Sequence, residues 1–428
     1  MTNTTILLAI SVALLAGLLL SRLAKIAQLP AVTAYLVAGI IIGPYVLGAL
    51  GVEGLGINTE DQLEKFKIIS EVALGFIAFS MGNELRVSAL KKIGKQAAVI
   101  GIFQAVFTTL VVDAVLIGLH FIIGDKLPLS AALILGAVAT ATAPAATLMV
   151  VKQYKAKGPL TNLLLPIVAI DDAVGLVVFA VSYGIANSIT AGRIDVLSVV
   201  LEPLLEVVLS LALGLVLGLL FTWVERFFHS RSKRMAVSVT FVILAVALSS
   251  LKGEIFGIHV AFSSLLTCMM LGTVFCNICD FSEELMDRAD RWTAPILILF
   301  FVISGAELDL GVFKDGAIVL VGVIYILSRS VGKYFGAGLS AAFTGCDDKT
   351  RKYLGITLLP QAGVALGMAM KANDPTVTSI TLFAVLVYEL IGPFLTKIAL
   401  TRAGDIKPEG KVSARALHLA KKNAGHHK

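Results

Sequence analysis

The chain has 428 residues, 57% of them hydrophobic and only 15% charged, with a formal net charge of +6 and 38 glycines. An ordinary soluble domain carries about 25% charged residues, and a chain this long divided into soluble domains would need far more charged surface. The composition excludes a disordered chain, a disulfide scaffold and a typical soluble enzyme, and it reads as a polytopic helical membrane protein.

A helix needs about 20 apolar residues to cross a bilayer. In chain order, thirteen apolar runs meet that requirement: 5–22, 31–50, 66–84, 96–121, 129–151, 161–188, 196–224, 235–251, 256–278, 292–309, 316–343, 353–371 and 376–401. The first lacks a basic leader and a small-residue cleavage motif, so it reads as a span and not a signal peptide. Basic residues alternate between successive loops. One set of loops and the C-terminal tail hold 25 Lys and Arg, the opposite set holds seven, and Arg329, Lys333 and Lys397 fall inside spans. The positive-inside rule makes the richer set cytoplasmic. The N-terminus is then outside, the C-terminus inside, and an odd number of spans is required. The inner (plasma) membrane is the expected location.

Thirteen spans divide as six, one and six. Repeat one covers about 5–188, a linker span about 196–224 and repeat two about 235–401, all within a membrane domain of 1–402. Residues 403–428 read as a basic cytoplasmic tail. Six-span units separated by one span run in opposite directions, which is the inverted repeat of many secondary transporters. The division matches span 5 with span 12 and span 6 with span 13. Span 5 is interrupted at Thr140-Ala141-Thr142-Ala143-Pro144, and span 12 at Leu359-Pro360-Gln361-Ala362-Gly363. An internal proline removes a helical hydrogen bond, and paired broken helices at matching positions point to a transport site.

A charged side chain at a helix centre costs roughly 2.5–3.5 kcal/mol on insertion scales. Asp171 and Asp172 sit side by side in span 6. Adjacent helical positions point about 100° apart, so one acid can meet a protein partner while the other lines a cavity. An acid in a cavity can trade a proton for a metal cation. Span 11 supplies the opposite charge. Arg329 and Lys333 share one helix face at i,i+4, and either is a candidate partner for the aspartates; Lys can lose its proton when buried, whereas Arg cannot. Thr140, Thr142 and Gln361 offer oxygen ligands of the kind hard cations prefer, although threonines in membrane helices also bond back to their own helix. Glu389 in span 13 reads as a packing acid ahead of a secondary proton site. His259 reads as structural. The Cys276–Cys279 pair is weak evidence for a metal, because no second ligand pair accompanies it.

These residues resemble a known family. LPAVTAYLVAGIIIGP at 29–44, FSMGNEL at 79–85, AIDDAVGLVV at 169–178, RSVGKYFGAG at 329–338 and LGITLLPQAGVALG at 354–367 are similar to motifs of the monovalent cation:proton antiporter superfamily. The likeness is to its second branch of NapA-like and Kef-type proteins and spans about 28–395. It implies an all-α integral membrane fold of 13 transmembrane helices, with a NapA-like 6+1+6 inverted repeat and two crossed discontinuous helices. It further implies a dimerisation domain, a mobile six-helix core and a homodimer. By position, Asp172 matches the family's ion and proton carrier and Asp171 its ion-paired neighbour. The paired cation matches Lys333 by one spacing and Arg329 by another.

The expected activity is secondary antiport of Na⁺ or Li⁺, with K⁺ a third candidate, against H⁺ by an elevator-type movement. Ion and proton binding is expected at Asp172 and Asp171, with Thr142, Thr140 and Gln361 as oxygen donors. Lipid, monovalent cations and protons are the expected partners, with no nucleic acid, no cofactor and no enzymatic reaction. The alternatives are a sodium-coupled organic anion symporter of similar fold, or a channel or sensor. Adjacent aspartates make an anion site electrostatically poor.

Overall fold

The structure, a computed structural model, describes residues 3–27, 29–51, 57, 60–191, 196–251, 253–255, 258–260, 262–279, 282–308 and 316–406. Among the described residues, fifteen α-helices run in chain order: α1 (Asn3–Ile26), α2 (Ala31–Ile42), α3 (Glu60–Glu84), α4 (Val87–Ile123), α5 (Leu129–Val138), α6 (Pro144–Tyr154), α7 (Pro159–Ala191), α8 (Val196–Glu225), α9 (Arg231–Ser249), α10 (Ser264–Ile278), α11 (Ser282–Glu307), α12 (Gly316–Phe343), α13 (Asp348–Thr357), α14 (Gly363–Ala372) and α15 (Pro375–Ala403). Among the described residues, eight helices are long and apolar enough to cross a membrane. Large apolar side chains face outward along them, as at Leu15 and Leu19 on α1, Leu110 on α4 and Leu327 on α12. In water such stripes would be a liability; in lipid they are the expected surface, with backbone polar groups satisfied inside each helix.

Two predicted spans are helical over only part of their length. The run 31–50 ends as a helix at Ile42, because Gly43 adopts an extended conformation ahead of Pro44, as a residue preceding proline must. The start of the run 256–278 is straddled by a short antiparallel hairpin, β1 (Gly253–Ile255) with β2 (Ile258–Val260), pairing Glu254 with His259. Helix α10 starts only at Ser264, where the Ser263 side chain accepts from the Leu266 N–H and caps the helix.

Two other runs are broken in the middle. Residues 139–143 separate α5 from α6, and 358–362 separate α13 from α14. Pro144 has no N–H to continue the α5 ladder, and it fits the first position of a new helix. The N-terminal end of α13 is capped by Asp347, whose carboxylate accepts from the Thr350 N–H and hydroxyl. The Thr350 hydroxyl beside it holds the Asp347 carboxyl below its ordinary value. The two breaks touch: the Ala143 N–H donates to the Pro360 carbonyl at 2.8 Å.

The helices pack as two groups. Helices α1–α3 and α8–α11 form one, with an apolar core of Phe79, Phe221, Phe275, Leu271 and Val246. Helices α4–α7 and α12–α15 form the other, built around Leu116, Leu135, Tyr325 and Val385. In the first group, α2 crosses α11 and α3 crosses α10 at van der Waals distance between backbones. Gly39 rests on the Val302 carbonyl while Gly305 rests on that of Leu36; Gly272 rests on the Phe79 carbonyl while Gly82 rests on that of Met269. In both crossings each glycine lies three residues beyond the carbonyl that its own helix offers.

At the end of α15 the chain folds back on α7. The buried Asp405 carboxylate accepts from both the N–H and the hydroxyl of Thr161 at 2.7 Å. An acid in the first turn of a helix complements its dipole. Most of the predicted basic tail, 407–428, lies outside the described residues.

Candidate functional site

The two breaks leave backbone carbonyls of α5 and α13 without helical partners, a cost that must be met inside a dry interior. Helix α12 runs past both and meets it with two cations. Arg329 is fully buried, and its guanidinium donates to the carbonyls of Ala139 (3.0 Å), Leu359 (2.7 Å) and Ala141 (2.7 Å). It also stacks over the ring of Tyr388, 4.5 Å from the centroid. A planar fork suits several fixed acceptors, and positive charge at helix C-termini is favourable. Gln361 adds a further tie, donating to the Val138 carbonyl and the Tyr325 hydroxyl, each at 3.0 Å.

One turn along α12, Lys333 is also fully buried. Its ammonium donates to the Thr140 carbonyl (2.6 Å), the Thr142 hydroxyl (2.9 Å) and Asp171 Oδ2 (2.8 Å). Thr142 in turn donates to Asp171 Oδ2, and the Gln104 amide of α4 donates to Asp171 Oδ1. Asp171 is fully buried, and both its oxygens are engaged. A buried ion pair is tolerable only when its remaining lone pairs are satisfied in this way.

The structure therefore brings together Asp171, Lys333, Thr142 and the Thr140 backbone. Arg329 and Gln361 lie at the same crossing but bind carbonyls, and Arg329 donates to neither aspartate through the bonds described. The Thr140 hydroxyl bonds back to the Ala137 carbonyl at 2.7 Å. Asp172 follows Asp171 in α7; its side chain lies outside the described residues. So does the side chain of His259.

Gln104 was not singled out by sequence reasoning. A lone amide in the apolar run 96–121 carries no motif, and only its bond to Asp171 reveals it. Glu389 is 7% exposed, and its Oε2 has no hydrogen-bond partner among the described residues. Cys276 and Cys279 form no disulfide among the described residues, and the Cys279 thiol is directed at Glu225. Among the described residues no group of three or more His, Cys, Asp or Glu could hold a metal ion.

Comparison with known proteins gives consistent likenesses. The sequence profile of the transmembrane sodium/hydrogen exchanger family matches residues 10–402. The chain is 24% identical to the Na⁺/H⁺ antiporter NhaS4 of Synechocystis sp., over 92% of this chain and 96% of that protein. Its fold is similar to that of the sodium proton antiporter MjNhaP1 of Methanocaldococcus jannaschii at pH 8, with a TM-score of 0.66, 19% identity and coverage of 93% and 97%. An electron-microscopy structure of the same antiporter matches with a TM-score of 0.68 and 18% identity, over 95% and 96%. At these identities the structural matches speak for the fold alone.

Proposed function

We propose that this chain, which belongs to the sodium/hydrogen exchanger family, moves Na⁺ or Li⁺, with K⁺ a third candidate, against H⁺ by carrying either ion on the carboxylate of Asp172. The protein is an integral membrane transporter of cations and protons, not an enzyme. The ions it exchanges are its substrates.

The observation that carries the reading is the saturation of Asp171. With Gln104, Thr142 and Lys333 on its two oxygens, Asp171 balances Lys333 and fixes the break in the helix. That leaves the next residue, Asp172, as the carboxylate for exchange. A proton and a monovalent cation competing for one carboxylate give obligatory exchange: each must leave before the other can bind. In this role Thr140, Thr142 and Gln361 shape the crossing and lend oxygens, and Arg329 supplies fixed positive charge.

The two packing groups support an elevator-type movement, in which α4–α7 and α12–α15 carry the site past α1–α3 and α8–α11. The reciprocal glycine crossings of α2 with α11 and α3 with α10 support the inverted repeat of six, one and six spans, since an inverted repeat exchanges those two pairs. The domain boundaries at 188, 196–224, 235 and 402, an outside N-terminus, a cytoplasmic C-terminus, an inner-membrane location and a homodimer belong to the same proposal. No anion site is supported at the crossing, because the donors of Arg329 described there are committed to carbonyls and Lys333 to a carboxylate.

The test is transport by Asp172→Asn in proteoliposomes, beside wild-type protein and with monodispersity as the folding control. Wild type should give proton flux on addition of Na⁺ or Li⁺, and the variant none. Wild-type flux from a well-folded Asp172→Asn would sink the assignment.

A further inference from the structure

The two halves of the chain carry a second correspondence, centred on Glu389. Residues 136–152 read GAVATATAPAATLMVVK and residues 355–371 read GITLLPQAGVALGMAMK. Both start with Gly, carry Met at the fourteenth position and end in Lys, with Pro144 just after the first break and Pro360 within the second. The next long helix after each broken pair, α7 and α15, carries DDAVG at 171–175 and YELIG at 388–392, which share an acid at the second position and Gly at the fifth. The two glycines have the same task. A Cβ on Gly175 would come to 2.9 Å from the Thr140 hydroxyl in the first break, and one on Gly392 to 3.0 Å from the Pro360 ring in the second. Aligned on these glycines, Tyr388 takes the place of Asp171 and Glu389 the place of Asp172. Lys333 meets Asp171, and Arg329, one turn away on the same α12, meets the ring of Tyr388.

Glu389 is buried, and among the described residues its Oε2 has no hydrogen-bond partner and no ion pair includes it. Of the helices packed against α15, α2 and α5 contain no charged residue, whereas α6 carries Lys152, α7 Asp171 and Asp172, α13 Asp348, Lys349, Arg351 and Lys352, and α14 Lys371. The cations of α12 are engaged elsewhere, Arg329 with carbonyls and Lys333 with Asp171. From α11, Glu307 lies within electrostatic reach of Glu389 and adds negative charge, with Lys67 of α3 acting in turn on Glu307. A buried carboxyl without a cationic partner is costly as packing. It is suited to taking up a positive ligand.

We propose that Glu389 is a second exchange site, the repeat counterpart of Asp172, whose carboxyl takes a monovalent cation in exchange for a proton. The proposal rests on the transport reading above. Equilibrium binding of radioactive Na⁺ to the purified full-length chain separates the two. Wild type should bind two equivalents per chain, Asp172→Asn one, and Asp172→Asn with Glu389→Gln none. Fewer than two equivalents on wild type overturns the second site whatever the variants do, and it leaves Asp172 standing if Asp172→Asn then binds none. Two equivalents on Asp172→Asn, together with normal proton flux, would instead overturn the transport reading.

Discussion

Asp171 has more partners than charge balance requires. Lys333 alone would neutralise it, yet Thr142 and Gln104 also donate to it, and Lys333 spends its other donors on the Thr140 carbonyl and the Thr142 hydroxyl. The pair therefore acts as a clasp between α4, α7, α12 and the break after α5. Removing one member of a buried ion pair costs about 3–5 kcal/mol, because the other charge is left behind. Lys333→Met and Asp171→Asn should each lower the thermal midpoint of the purified protein clearly, and the double variant should lose less than the two single losses combined. Strict additivity, measured by thermal unfolding in detergent, would show that the clasp is not a coupled unit. At this scale the sequence exposed the charged members, since an ionisable residue stands out in an apolar run. It did not expose Gln104, whose amide is unremarkable until Asp171 is seen beside it. Nor could it choose between Arg329 and Lys333, because both occupy one face of α12 and only one turn of rise separates a carboxylate from a row of carbonyls.

Between elements, Arg329 is the counterpart of that clasp. It binds carbonyls from both broken helices, Ala139 and Ala141 after α5 and Leu359 after α13. A buried carbonyl left without a donor costs about 1–3 kcal/mol. Arg329→Met should therefore destabilise the protein by several times that of a single lost hydrogen bond, and Arg329→Lys, which keeps the charge but not the planar fork, should recover part of the loss. Equal thermal midpoints for wild type and Arg329→Met would show that the breaks are held by other means. The breaks themselves were legible, because Pro144 and Pro360 sit inside otherwise continuous apolar runs. The early end of α2 and the hairpin before α10 carry no such signal. Gly43-Pro44 stops a helix without interrupting hydrophobicity, and a short apolar stretch such as Ile255–Val260 has no periodicity that separates strand from helix.

For the whole molecule, the sequence spoke through the placement of scarce charge. With 15% of residues charged, the basic residues alternate between successive loops, and three of the charges inside spans, Asp171, Arg329 and Lys333, gather at one crossing. What it could not give is which helices travel together, since packing partners such as α4 with α12 or α3 with α10 are far apart in the chain. Across the boundary between the two groups the contacts are largely apolar, with scattered polar ties: the Ala31 N–H of α2 to the Gln153 side chain of α6 at 2.9 Å, Lys152 of α6 to Ser80 of α3 at 2.8 Å, and Thr33 of α2 to the Leu390 carbonyl of α15 at 3.5 Å. Apolar contact is non-directional, so one group can slide along the other with small loss if it keeps its surface covered. On the proposed elevator-type movement, these polar ties mark one of its stops. Cysteines introduced as Ala31→Cys and Gln153→Cys, in a background without Cys268, Cys276, Cys279 and Cys346, would sit on opposite sides of the boundary. Bridging them with a short bifunctional thiol reagent should arrest cation-driven proton flux, and cleaving a reducible version of the bridge should restore it. Each single cysteine treated with the same reagent should keep transporting. Undiminished flux through a fully bridged protein would mean that α6 and α2 stay together during exchange, and the moving boundary would have to lie elsewhere.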